Sequence, residues 1–235
     1  MLRAVTSNTT SGPDTTRPVL KLQITSLDFG GLPILGELSL QVKRGETLAL
    51  VGPSGIGKTS LLRIISGLER DYRGQCHVEG VVAMVFQEPT VLPWRSLRDN
   101  ICIASGVSVT EADQALADVG LAGREDDFPS QLSLGQQRRL SLARAFAVKP
   151  DLLLMDEPFV SLDPELVAEM MELFATLRAA HQVTTILVTH VAKEARKLAG
   201  RIVTLGGTPA KVISDVQNKG AYFQLSASGV TSSKS

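Results

Sequence analysis

An α/β fold with a mainly parallel sheet is what this sequence of 235 residues predicts, and three observations predict it. The glycine-rich stretch Gly52 to Ser60 lies between the apolar run Thr47 to Val51 and the periodic segment Leu61, Leu62, Ile64, Ile65, Leu68, which reads as strand, loop and helix. Short apolar runs recur at Val81–Phe86, Leu152–Met155 and Thr184–Thr189. Helical patterns fill the intervals between them. Around this core the sequence predicts an antiparallel β subdomain ahead of Gly52 and a helical subdomain inserted at about residues 88–150.

Residues 1–18 are rich in Thr, Ser, Pro and Gly, lack the apolar centre of a signal peptide, and read as a disordered tail. Residues 19–225 read as one domain and the Ser-rich 226–235 as a flexible end. Leu20, Leu22, Ile24 and Leu27 alternate with polar residues, as do Leu38, Leu40 and Val42, which predicts a small antiparallel sheet leading into the strand before Gly52. Phe29 precedes the turn Gly30-Gly31, where its ring either stacks on a base or closes the core at a strand end. Gly67 ends the helix after Ser60, and a hairpin-like stretch with Gly74 and Gly80 leads to Val81–Phe86. Gln87 follows at that strand's C-terminal end, the edge at which α/β sheets bind ligands. The segment Glu88 to Leu97 is punctuated by Pro89 and Pro93, carries the only tryptophan, Trp94, and reads as an exposed loop.

From Ser96 to Pro150 the pattern is helical. Thr110 with Asp113 predicts a capping box for a helix running to Val119 and stopped by Gly120. Ser133 with Gln136 predicts a second, opening a helix with the apolar face Leu140, Ala143, Phe146, Ala147. Arg138 and Arg139 read as ordinary surface charges of that helix. Leu152–Met155 runs into Asp156-Glu157-Pro158, after which Asp163 reads as N-cap and Pro164 as the first residue of a helix to about Ala180. The strand Thr184–Thr189 delivers His190 to the same edge as Gln87. A helix from about Ala192 to Ala199 stops at Gly200, and Arg201 to Leu205 reads as the last strand. His77 and His181 have no motif around them and read as surface residues.

The stretch Gly52-Pro53-Ser54-Gly55-Ile56-Gly57-Lys58-Thr59-Ser60 fits G-x-x-x-x-G-K-[ST] in the context that motif requires, which makes this the P-loop of a P-loop NTPase core. Glycines let the backbone wrap an anion while its N–H groups point inward at a helix N-terminus. Lys58 then reaches the β- and γ-phosphates, the Thr59 hydroxyl ligates Mg²⁺, and Ser60 adds a phosphate contact. Asp156, ending a buried strand downstream of a P-loop, stands where a Walker B aspartate holds Mg²⁺.

Composition narrows the classes further. Lys plus Arg and Asp plus Glu both number 24, so there is no broad positive footprint for nucleic acid. Cys76 and Cys102 lie far apart without metal-ligand spacing, which suits reduced thiols in a cytosolic protein rather than a disulfide framework. No run of about 18 apolar residues occurs, so any membrane-spanning part belongs to another chain.

Taken together, from about Leu20 to Gly206, these pieces resemble the nucleotide-binding subunit of an ATP-binding cassette (ABC) transporter. Gln87 resembles the Q-loop glutamine, Leu132-Ser-Leu-Gly-Gln136 the LSGGQ signature, Ser161-Leu-Asp163 the D-loop, and His190 the switch histidine. The resemblance implies that Glu157 orients and deprotonates the attacking water, that His190 contacts the γ-phosphate, and that Gln87 senses Mg²⁺ and the water. It implies a head-to-tail dimer in which each ATP is held by Gly52 to Ser60 of one chain and by Ser133, Gly135 and Gln136 of the other, with Asp163 of the D-loop and Phe29 also among the nucleotide-binding residues. One departure is Leu134, where the family has its first signature glycine; slower turnover or weaker closure is the expected consequence.

The same resemblance implies separate permease subunits, an indirect link to a solute-binding protein, and a peripheral position on the cytoplasmic face of the inner or plasma membrane. Leu92 and Trp94 are either apolar anchors for the permease or packed locally. The run Val91-Leu-Pro-Trp94 resembles the LPW segment of nitrate, sulfonate and taurine importers, which points to import of such a small solute. The alternatives are a soluble cassette ATPase unconnected with transport, in translation or DNA repair, or an ATP-dependent clamp with weak hydrolysis. A single P-loop argues against the first, the lack of heptad arms against the second, and Glu157 with His190 against the clamp. A nucleotide kinase would have no use for LSLGQ and His190 together.

Overall fold

Alternating leucines shape the first sheet: along β1 (Pro18–Phe29), Leu20, Leu22 and Ile24 are buried while Lys21 and Gln23 are exposed. The structure is a computed structural model and describes residues 17–220. Most of the expected N-terminal tail and all of the expected C-terminal one lie outside the described residues, and Pro18 already belongs to β1. The chain continues through β2 (Leu32–Leu35), β3 (Leu38–Lys43), β4 (Thr47–Val51), α1 (Lys58–Ile65), β5 (Arg73–Val78) and β6 (Val82–Val85). Strands β2, β3 and β5 all pair antiparallel with β1 in one four-stranded sheet.

The hairpin expected around Gly74 and Gly80 does not form, because β5 pairs with β1 while β6 enters the other sheet. Gly74 permits this, since a side chain there would stand 2.2 Å from the Gln23 carbonyl oxygen.

The second sheet has the order β10-β9-β4-β8-β7-β6, adding β7 (Leu152–Asp156), β8 (Thr184–Val188), β9 (Arg201–Gly206) and β10 (Lys211–Gln217). All neighbours are parallel except β10, which runs antiparallel to β9. The strand at Arg201 is therefore not the last one. The apolar runs are continuous because both faces are covered: Leu153 and Met155 of β7 point into one core, and Leu152 and Leu154 into the other. The first core joins the sheet to the inserted helices. The second joins it to α1 and the antiparallel sheet.

Between β6 and β7 stand α2 (Leu97–Ser105), α3 (Val109–Asp118), a 3₁₀ turn at Pro129–Gln131 and α4 (Leu134–Ala147), with α4 packed on α2, α3 and β6. The N-cap of α3 is Ser108, whose capping-box partner is Glu111, rather than Thr110 with Asp113. Asp113 instead meets Arg98 of α2 at 2.6 Å. Helices α5 (Pro164–His181) and α6 (Ala192–Leu198) complete the fold, α5 opening on Asp163, whose carboxylate accepts from Glu165 and Leu166 N–H, followed by Pro164.

Candidate active site

Because β4, β8, β7 and β6 run parallel, their C-terminal ends share one edge of the sheet, and each carries a residue with chemistry. The loop Gly52–Gly57 follows β4, His190 lies just past β8, Asp156 ends β7 with Glu157 next, and Gln87 lies just past β6. From β4 to β6 is three strand spacings, about 14 Å.

The loop is shaped by backbone constraints. Gly52, Gly55 and Gly57 have φ of 154°, 74° and 103°. A side chain at Gly57 would meet Leu35 at 2.7 Å, so β2 backs the loop, and one at Gly52 would meet the Leu205 carbonyl oxygen at 2.8 Å. Pro53, Ser54 and Gly55 are exposed at its tip, and Ile56 N–H donates to Pro53 at 3.4 Å. Gly57 then starts α1, with Lys58, Thr59 and Ser60 in the first turn. Lys58, only 4% exposed, donates through Nζ to the Gly52 and Pro53 carbonyls at 2.9 and 2.8 Å. An ammonium on its own loop's carbonyls is poised to exchange them for an anion.

Thr59 Oγ1 donates to Asp156 Oδ1 at 3.2 Å. Asp156 is 5% exposed, and burial pushes its carboxyl above the ordinary range; the Thr59 hydrogen bond opposes this, Glu157 adds to it and Lys58 opposes it. A hydroxyl and a buried carboxylate side by side are hard oxygen donors, and a divalent cation there would hold Asp156 ionised. Among the described residues no group of three His, Cys, Asp or Glu could form an all-protein metal cage. That suits Mg²⁺, which takes few protein ligands and completes its shell with phosphate oxygens and water.

Glu157 occupies a positive φ of 44°, its N–H donating to Val188 at 3.0 Å, so β8 fixes this turn. Its Oε2 lies 3.2 Å from His190 Nδ1. Thus the loop, Thr59 with Asp156, and Glu157 with His190 form one continuous polar line along the sheet edge.

Gln87 is exposed and forms no side-chain bond among the described residues. Phe29, at the end of β1, is also exposed. Ser133 is the N-cap of α4: its hydroxyl accepts from Gln136 N–H at 3.3 Å, and Gln136 Oε1 accepts from Ser133 N–H at 3.0 Å. Gly135 faces Leu166 at the start of α5, a methyl of which would stand 2.7 Å from a side chain added there and would have to shift. Among the described residues, the side-chain bonds of Ser133 and Gln136 are to each other and not to the Gly52–Ser60 loop.

Residues 35–160 match the family model described as ABC transporter. The chain belongs to the ABC transporter family. The cassette is 38% identical over 211 residues to the aliphatic sulfonates import ATP-binding protein SsuB 2 of Burkholderia cenocepacia, covering 85% of this chain and 78% of that one. It is 43% identical over 178 residues to SsuB 1 of Rhodococcus jostii, covering 73% of each. Among solved structures it resembles the dimeric post-hydrolysis state of the ATP-binding cassette MJ0796 bound to ADP and Pi, with a TM-score of 0.74, 26% identity, and 86% of this chain and 99% of that one covered. The cassette is therefore an ATPase whose substrate is ATP with Mg²⁺.

Arg138, read from the sequence as a surface charge, and Glu194, which the sequence did not single out, stand close to this ABC site. Arg138 is buried rather than a surface charge, its guanidinium donating to the carbonyls of Gln87 and Val160. Arg139 bridges Glu169 at 3.1 Å and donates to the Val119 carbonyl. Glu194 in the first turn of α6 is buried and accepts from the Thr189 hydroxyl, which itself accepts from Val191 N–H at 3.0 Å, so residues on both sides of His190 are tied to one carboxylate. Of the other histidines, His77 is exposed, whereas His181 is half-buried with its ring 5.5 Å from Phe146.

Proposed function

We propose that this cassette hydrolyses ATP between two copies of itself and so powers import of a small organic anion, an aliphatic sulfonate, through separate permease subunits. The observation that carries the reading is the convergence of the Lys58 loop, the Thr59–Asp156 pair and the Glu157–His190 pair on one sheet edge. The loop amides and Lys58 hold the phosphates. Thr59, Asp156 and Gln87 hold Mg²⁺, which when bound supplies positive charge to the phosphate oxygens. Glu157 takes the proton of the attacking water, and His190, held by Glu157, steadies the γ-phosphate.

Ser133, Gly135 and Gln136 complete the site on the opposite copy. The α4 N-terminus offers Ser133 and free amides to an anion, and its own first turn carries no acidic residue. Asp163 sits at the junction by capping α5, and Phe29 stacks on the base. Closure of the two copies excludes water and completes the constellation, which makes turnover depend on dimerisation. No helix among the described residues is long and apolar enough to cross a membrane; the peripheral place on the cytoplasmic face follows from the permease partnership proposed here. The sulfonate cargo rests on the named relatives and on the Val91-Leu-Pro-Trp94 run.

The test is Glu157→Gln. Phosphate release is expected to fall by about 10² to 10⁴, and gel filtration to show a dimer that requires ATP. An undiminished rate removes Glu157 from its role. With the permease and solute-binding protein reconstituted, alkanesulfonate but not nitrate is expected to stimulate phosphate release.

A further inference from the structure

Between β6 and α2 the backbone is held by side chains of the helical lobe, Arg138 and Asn100 buried and Arg144 half-buried. From α4, Arg138 donates to the Gln87 carbonyl and stands 3.5 Å from that of Phe86, while Arg144 donates to the carbonyl of Thr90. From α2, Asn100 is wholly buried: its Oδ1 accepts from Leu92 N–H at 2.7 Å and its amide donates to Leu92, Arg95 and Ser96 carbonyls at 3.0, 3.1 and 2.9 Å. The segment that carries Gln87 is thus fastened to the helices, not only to the sheet from which it emerges.

Arg138 does more than fasten one strand end. Its second guanidinium nitrogen reaches 3.4 Å from the Val160 carbonyl, one residue before Ser161, which sits at a positive φ of 63° and opens the turn to Asp163. Arg138 is 4% exposed and has no ion pair among the described residues; its Nε has no partner at all. A buried guanidinium hydrogen-bonded only to carbonyls, with Glu88 near enough to favour its charge but not to pair with it, is a demanding arrangement that depends on those carbonyls staying in place. Only a planar fork of donors can span them from one helix position.

We propose that Arg138 is a positioning residue that makes α4, the Gln87 backbone and the Val160–Ser161 turn move as one body, so that displacement of the Ser133 end of α4 is felt at Gln87 and at Asp163 together. This rests on the roles given above to Ser133 and Gln87. Arg138 touches neither nucleotide nor water in that reading. Its effect is on whether the groups that do so arrive together, and it belongs in kcat rather than in ATP binding by the Gly52–Ser60 loop.

The chain offers its own reporter, since its single tryptophan, Trp94, lies in the fastened segment and is 69% exposed. In purified full-length protein we would measure phosphate release, Mg²⁺-ATP affinity by isothermal titration, and Trp94 emission on adding Mg²⁺-ATP, for the wild-type chain, Arg138→Met, Arg138→Lys and Glu157→Gln. Arg138→Met is expected to lose at least tenfold in kcat and to lose the ATP-dependent Trp94 change, with ATP affinity within about threefold. Arg138→Lys keeps the stem and a donor for the carbonyls that Met would leave unpaired, and so serves if Met does not fold; it is expected to lose several-fold in kcat because one ammonium cannot span the carbonyls.

If Arg138→Lys matches wild type in both kcat and Trp94 response, or if Arg138→Met loses ATP affinity in proportion to kcat, the coupling is overturned. In either case Glu157→Gln still lowers turnover as given above and the active-site reading stands. Unimpaired turnover in Glu157→Gln overturns the reading and the coupling with it.

Discussion

At Leu134 the cassette carries a leucine, 43% exposed, directly after the Ser133 cap. The leucine adds bulk where a second copy's nucleotide would approach and keeps the backbone from shifting as a glycine could. Leu134→Gly is expected to raise phosphate release severalfold at saturating ATP while lowering stability by up to about 1 kcal/mol; an unchanged rate counts against the steric account. Glu194 makes a second residue-scale prediction. Burial first, opposed by the Thr189 hydrogen bond and the His190 charge, pushes its carboxyl above the ordinary 4.5, so the folded chain keeps this proton to higher pH than the unfolded one. Its contribution to stability is therefore full below pH 4.5 and lost as pH rises through the folded-state value. Glu194→Gln, which still accepts from Thr189, should melt higher than wild type at pH 7 to 8, with the gap closing toward pH 4.5 in a thermal-melt series. Of these two, Leu134 was legible because it interrupts a motif. Glu194 was not, since an acid in the first turn of a short helix looks solvated until the strand beside it is in place.

Among elements, the capped helices show how local signals are read and misread. Ser133–Gln136 and Asp163–Pro164 were legible because each marks an abrupt start with the chemistry the free N–H groups need. For α3 two overlapping patterns competed, and the one with glutamate at the third position, Ser108–Glu111, is the one formed. Ser108→Ala is expected to cost about 1 kcal/mol, which for a chain of this size lowers the melting temperature by about 2–4 °C. Phosphate release at 25 °C should be unaffected, because α3 contributes nothing to the sheet edge. Arg138 was missed for a different reason. The apolar face Leu140, Ala143, Phe146, Ala147 suggested a helix with one wet side, yet Leu142 and Ala145, four and seven residues after Arg138, are also buried, so α4 is enclosed on a second side. β10 escaped notice because its large apolar residues, Ile213 and Val216, face solvent and leave no clean alternation.

For the molecule as a whole, what joins the two sheets matters most. Beyond the shared apolar core, Arg201 at the start of β9 makes two 2.7 Å bonds to Asp215 of β10, donates to the Gln41 carbonyl of β3 at 2.8 Å, and reaches Glu46 at 3.1 Å. One side chain therefore holds both sheets and the turn before β4. Arg201→Met should cost about 1–3 kcal/mol in urea unfolding. A loss under 0.5 kcal/mol would mean that the apolar core alone holds the two sheets together. Strand types, the P-loop and the sheet edge were legible because apolar runs and motif residues alternate along the chain. Strand order was not, since pairing depends on partners far away in sequence.

That order has a consequence for how the protein is made. β4 emerges from the ribosome early, but its two neighbours in the sheet, β8 and β9, begin at Thr184 and Arg201. At about 5–20 residues per second, β4 waits roughly 7–30 s for them. Throughout that interval the nascent chain carries a phosphate-gripping sequence without its parallel neighbours, and the leucines of β4 have only α1, the antiparallel strands and the other segments made before β8 to shelter them.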